Sequence, residues 1–92
     1  MAVIFVADGT LAVGQSAHWY VWWPGPQMYL GPVVFQASPL DPDGEIELSD
    51  HTRLRTSANP PPGVAANAQV HAFTVRNRGT AATGFYIWCL KE

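Results

Sequence analysis

The sequence predicts an all-β fold, a single antiparallel two-sheet β-sandwich of seven to eight short strands, with residues 1–92 forming one domain. Three observations predict it. No window keeps apolar residues at i, i+3, i+4 and i+7 for three turns, so no helix is expected. Eight glycines and eight prolines punctuate the 92 residues, leaving only short segments between turn signals. Those segments alternate apolar and polar positions or are rich in β-branched and aromatic side chains, as strands of a sandwich or barrel are.

The first strand is expected over residues 2–7, closed by Asp8-Gly9, with a short continuation at 10–13. Gly14-Gln15-Ser16 turns the chain into a strand over 17–23, which Pro24-Gly25-Pro26 stops. Residues 27–37 are extended but interrupted by Gly31-Pro32, which marks an edge, a bulge or a bend. Asp41-Pro42-Asp43-Gly44 is a turn leading into a strand over 45–48, and Ser49-Asp50-His51 leads to another over 53–56. Residues 59–63 form an irregular or polyproline-like crossover between sheets. Two long strands, 69–76 and 84–90, follow, joined around Asn77-Arg78-Gly79-Thr80.

A three-residue loop at Ser49-Asp50-His51 would form a hairpin with Leu48 opposite Thr52, Glu47 opposite Arg53 and Glu45 opposite Arg55. Opposite charges would then meet on the solvent face, with Ile46, Leu48 and Leu54 pointing inward.

A chain this short buries only roughly 60–65% of its unfolded surface, and small domains commonly add disulfides, a structural metal or oligomerisation. Cys89 is the only cysteine, so no intrachain disulfide forms; a lone thiol suits a reducing compartment such as the cytoplasm, and location is otherwise open. Residues 1–6 lack the charged leader and cleavage site of a signal peptide. No apolar run approaches the ~20 residues of a membrane-spanning helix, so a soluble protein without a membrane span is expected. A net charge of −2 argues against nucleic acid as a partner, and Arg53, Arg55, Arg76 and Arg78 read as solvated strand charges.

Val70-His71-Ala72-Phe73-Thr74-Val75-Arg76-Asn77-Arg78-Gly79-Thr80, followed by Gly84-Phe85-Tyr86-Ile87, resembles the V-x-N-x-G hairpin of small bacterial immunoglobulin-like domains of the CARDB type. The resemblance covers one stretch of the chain. It implies an immunoglobulin-like sandwich that works in adhesion, in binding or as a spacer, and it implies no functional residues. The aromatic strand at 18–23 has no counterpart in that pattern.

That strand, His18-Trp19-Tyr20-Val21-Trp22-Trp23, is the most unusual feature. Side chains alternate across a strand, so Trp19, Val21 and Trp23 share one face and His18, Tyr20 and Trp22 the other. In the last strand Phe85, Ile87 and Cys89 oppose Tyr86, Trp88 and Leu90. Both strands are apolar on two faces, whereas a half-solvated strand is apolar on one. Something should cover the outer set, since exposed aromatics in a patch favour association. Three readings compete: another copy of the chain, giving a homo-oligomer; a platform of Tyr20, Trp22, Tyr86 and Trp88 on which a ligand such as a sugar ring stacks; or a loop or neighbouring strand of the same chain folded over the patch.

Other constellations are weak. Asp41-Pro42-Asp43-Gly44-Glu45 departs from the calcium-loop pattern, with glycine fourth rather than sixth, and reads as a tight turn. Ser49-Asp50-His51 has triad residue types, but adjacent side chains diverge. His18, His51 and His71 lack metal-ligand spacing and read as surface or packed residues, and Cys89 as a buried small hydrophobe. No catalytic residue, metal site or cofactor is therefore expected. The expected function is lectin-like carbohydrate binding by a self-associating module. Trp22, Tyr20, Trp88 and Tyr86 are its stacking or interface groups and His18 a polar edge contact; the alternative is an assembly subunit whose aromatic face meets only protein.

Overall fold

The structure, a computed structural model, describes residues 2–23, 31–59, 62 and 66–91. Six strands follow in order: β1 (Ala2–Leu11), β2 (Ser16–Trp23), β3 (Val33–Pro39), β4 (Ile46–Arg55), β5 (Gln69–Asn77) and β6 (Thr83–Lys91). They form two antiparallel three-stranded sheets, ordered β1-β6-β3 and β2-β5-β4. Among the described residues there is no helix, and so none long and apolar enough to cross a membrane. The two-sheet, all-β expectation holds, and the described residues contain six strands where seven or eight were expected of the whole chain. The proposed strand start at 27–30, the stop at 24–26 and most of the 59–63 crossover lie outside the described residues.

The inner faces meet in one core. Phe73 and Val75 of β5 pack with Phe85, Ile87 and Cys89 of β6, together with Leu11 and Phe35. Ring contacts tie the sheets across the gap: Trp19 meets Phe85 edge-on at 6.1 Å, and Phe35 touches Phe73 at 5.1 Å and Trp23 at 6.2 Å. The central strands β5 and β6 supply most of the buried residues, because each is flanked on both sides.

Three local readings of the sequence are corrected. Asp8-Gly9 does not close the first strand, since Asp8 stands opposite Tyr86 and Gly9 opposite Phe85 within a continuous β1. Gly9 is required by packing rather than by a turn: a Cβ there would lie 2.7 Å from Phe85 Cζ. The reversal comes later, where Gln15 N–H donates to Ala12 O at 3.0 Å and Gly14 adopts φ 76°, a left-handed position that favours glycine.

Ser49-Asp50-His51 is not a hairpin. Residues 46–55 form one strand, paired along its length with β5, and between the Ser49–Thr74 and Thr52–Ala72 pairs Asp50 and His51 stand against the single residue Phe73, one residue more than β5 has there. Asp50, at φ 59°, makes the bulge. One added residue inverts the alternation beyond it. Leu54, expected inside, therefore turns outward and is 58% exposed. The proposed Glu47–Arg53 and Glu45–Arg55 pairs do not form; Glu47 is opposite Arg76 and its carboxylate accepts from Arg78 at 2.7 Å.

The last two strands are not a hairpin either, since β5 and β6 belong to different sheets. Asn77 holds the crossing. Fully buried, its Nδ2 donates to Leu11 O (3.2 Å) and Ala81 O (2.8 Å), and its Oδ1 accepts from Gly79 N–H (2.9 Å). Arg78 N–H then donates to Glu45 O at 2.7 Å and Thr80 N–H to Asp43 O at 3.2 Å, which carries the contact of β5 with β4 on into the segment before β4. Gly79 passes so close to the 43–45 backbone that a Cβ would sit 2.5 Å from Asp43 O.

Candidate functional site

β2 alternates as its sequence requires. Trp19, Val21 and Trp23 point inward, while His18, Tyr20 and Trp22 stand on the outer face of the β2-β5-β4 sheet. There Tyr20 is 60% exposed and Trp22 39%. The central strand contributes small residues beside them: Ala72 is flanked by Tyr20 and Thr52, and Val70 by Trp22 and Leu54. The two rings thus border a low floor with hydroxyl groups at its far end. His18 Nδ1 and Thr74 Oγ1 are hydrogen-bonded at 2.9 Å, which fixes the imidazole on the same face.

Tyr86 and Trp88 alternate with the buried Phe85, Ile87 and Cys89 and lie on the outer face of the other sheet. They join Phe5, which sequence reasoning did not single out, in a three-ring cluster. Phe5 meets Tyr86 at 5.5 Å and Trp88 at 5.7 Å, and Tyr86 meets Trp88 at 6.0 Å, all edge-to-face, a favoured aromatic geometry. Trp88 Nε1–H donates to Ser38 Oγ at 2.9 Å. Exposed Val3 and Val34 extend this surface.

The four aromatics expected to make one platform therefore do not share a surface. Tyr20 and Trp22 occupy one side of the sandwich, and Tyr86 and Trp88 the opposite side, because β2 and β6 lie in different sheets whose inner faces are pressed together. The two surfaces also differ in chemistry, the first mixing rings with polar neighbours and the second being nearly all apolar.

A third feature is a histidine pair. The Asp50 bulge carries His51 over β5, where its Nε2 lies 2.8 Å from Nδ1 of His71. His71 is fully buried against Trp23 (4.9 Å between ring centres) and Phe35 (5.0 Å), and among the described residues its Nε2 has no hydrogen-bond partner. Burial, then the neighbouring His51 and Arg53, lower the His71 pKa to about 4; burial and Arg53 lower that of His51 as well. The pair is neutral at pH 7. The sequence did signal half of it, since His71 is in phase with Phe73 and Val75 on an otherwise apolar strand. His51 reaches it only through the bulge.

Cys89 is fully buried, and burial pushes its thiol pKa up, which disfavours the reactive thiolate. The Asp41–Gly44 segment is a turn: Gly44 N–H donates to Asp41 O at 3.0 Å and Asp43 N–H to Asp41 Oδ1 at 2.8 Å. Among the described residues no three His, Cys, Asp or Glu side chains gather as metal ligands would. In comparisons with protein-family profiles, curated proteins and solved structures, nothing matches this chain.

Proposed function

We propose that this protein is a non-enzymatic, self-associating binding module that recognises carbohydrate through Trp22 and Tyr20, with His18 as a polar contact at the edge. The observation that carries the reading is the pair of exposed rings on the outer face of the β2-β5-β4 sheet, beside a histidine anchored to Thr74. A sugar presents an apolar C–H face ringed by hydroxyls, and this surface offers aromatic area bordered by Thr52, Thr74 and Ser49 in register. Carbohydrate sites of this open kind are weak individually, and self-association multiplies them through effective concentration.

The apolar surface of Phe5, Tyr86 and Trp88 favours a second reading, an assembly subunit that meets protein alone. Its indole N–H is already engaged by Ser38, which leaves ring edges and aliphatic groups for a partner. The immunoglobulin-like assignment has less support, because the Asn77-x-Gly79 segment links two sheets instead of closing a hairpin.

Titration with a panel of sugars, read by tryptophan fluorescence and calorimetry, tests the primary reading. A saturable response to at least one sugar is expected, with a loss of ten-fold or more in affinity for Trp22→Ala, on the scale of about 1–3 kcal/mol for a lost stacking contact. A flat response across the panel, or full affinity in Trp22→Ala, overturns it.

A further inference from the structure

Four of the six strands are sheet edges, and two of those are guarded against strand addition. β3 follows Pro32 and ends at Pro39, and β4 is distorted by the Asp50 bulge and carries Arg53 and Arg55. Proline, bulges and charges are the usual means of blunting an edge. β2 exposes only its outer side chains, its inward Trp19, Val21 and Trp23 being packed on the core. β1 differs from all three in its side chains: it too carries a bulge, at Val6, but residues 2–5 ahead of it keep an unbroken register with β6. Val3, Ile4 and Phe5 are 63%, 38% and 51% exposed, and as consecutive strand residues they point alternately to both faces of the sheet. A partner lying on one face would leave Ile4 or its two neighbours uncovered. A strand added along the edge covers all three.

We infer that β1 pairs antiparallel with β1 of a second copy about a twofold axis at Ile4, joining two three-stranded sheets into one of six. This deepens the self-associating part of the proposed function by naming its surface and its partner. In this register Ile4 faces Ile4 of the second copy, and Val3 faces the second copy's Phe5, an aromatic with a β-branched residue, which is a favourable cross-strand pair. The composition of the strand argues for a second copy over a foreign peptide. Residues 2–7 hold no charge, so self-pairing brings no like charges together, and Asp8 lies about 27 Å along the strand from its counterpart. Isologous pairing also sets the two Phe5–Tyr86–Trp88 clusters on the same face of the joined sheet. The Tyr20–Trp22 surfaces remain open.

Sedimentation velocity at about 200 μM, a concentration suited to an interface of modest size, tests the inference. The mass is expected to be twice the 10.0 kDa of the chain and to fall to that of one chain in Ile4→Lys, while Trp22→Ala keeps the doubled mass. Sugar affinity per chain is unchanged in Ile4→Lys, so failure of the interface and failure of the sugar site are read separately. Because Ile4→Lys also alters an inward position, mild oxidation of Ile4→Cys gives a second readout, made in a Cys89→Ala background since Cys89 stands directly opposite Ile4 on β6: a residue on the axis should cross-link two chains, whereas Val34→Cys on the far edge strand, in the same background, should not. A single-chain mass for the unmodified protein, a doubled mass in folded Ile4→Lys, or equal cross-linking of the two cysteine variants overturns the inference.

Discussion

Acid should weaken this fold through His71. The imidazole is fully buried and its pKa is lowered to about 4 from 6.5, first by burial and then by His51 and Arg53. In the unfolded chain the ring takes up a proton near pH 6.5, while in the fold it resists until about pH 4. The unfolded state therefore binds more protons between those values, and stability falls as pH drops through that window. It is complete above pH 6.5 and levels off below about 4. A shift of this size corresponds to about 3 kcal/mol, a large share of the 5–15 kcal/mol typical of a small domain. Nearby cations oppose protonation: Arg53 lies on the adjacent strand, and Lys91 Nζ sits 5.9 Å from the centre of the Trp23 ring that packs on His71. His51, lowered in the same direction, adds to the effect. Urea unfolding followed by tryptophan fluorescence at pH 7.5, 5.5 and 4.0 measures it. The comparison is with His71→Leu, which keeps similar volume, removes the unpartnered Nε2 and leaves His51 reachable by water. Acid effects that do not involve His71 are common to both proteins and cancel. His71→Leu is expected to match or exceed the original stability at pH 7.5 and to lose about 3 kcal/mol less on acidification. Equal acid losses in the two proteins would refute the reasoning.

Two further predictions follow from close packing. Gly79→Ala forces a Cβ to 2.5 Å from Asp43 O and 2.6 Å from Glu45 N, backbone atoms that cannot swing aside, and should cost about 3 kcal/mol in chemical denaturation; an unchanged midpoint would contradict it. Cys89, fully buried with its pKa raised, should react with a thiol reagent on the order of 100-fold or more slowly in the folded protein than in urea, and rapid labelling of the native protein would show the site to be open.

Much of the architecture was legible because strand alternation is a local property. His18 to Trp23 and Phe85 to Leu90 each divide into an inner and an outer set as their spacing dictates, and the Asp41–Gly44 turn follows from its Pro-Asp-Gly chemistry. Assignment of strands to sheets was not legible, because it depends on contacts distant in sequence. Tyr20 and Tyr86 are outward-facing by the same rule, yet they emerge on opposite sides. The Asp50 bulge escaped for a different reason. Ser-Asp-His suits a tight turn as well as a left-handed bulge, and pairing with β5 decides between them. That one residue inverts Leu54 and delivers His51 to His71, so a single local ambiguity hid both an exposed leucine and the buried pair.

The pairing of β1 with β6, in which Ala2 stands opposite Lys91 and Leu11 opposite Thr83, orders events during synthesis. The β2-β5-β4 sheet can close once Asn77 has emerged, but the other sheet is organised around the last of the six strands. Until that strand is made, both β1 and β3 lack their hydrogen-bonding neighbour, and pairing across such sequence separation is slow. The apolar stretch at Val3, Ile4 and Phe5 is thus made well before its partner strand and is sheltered late. A nascent chain stalled before Thr83 would present it to chaperones or to other nascent chains.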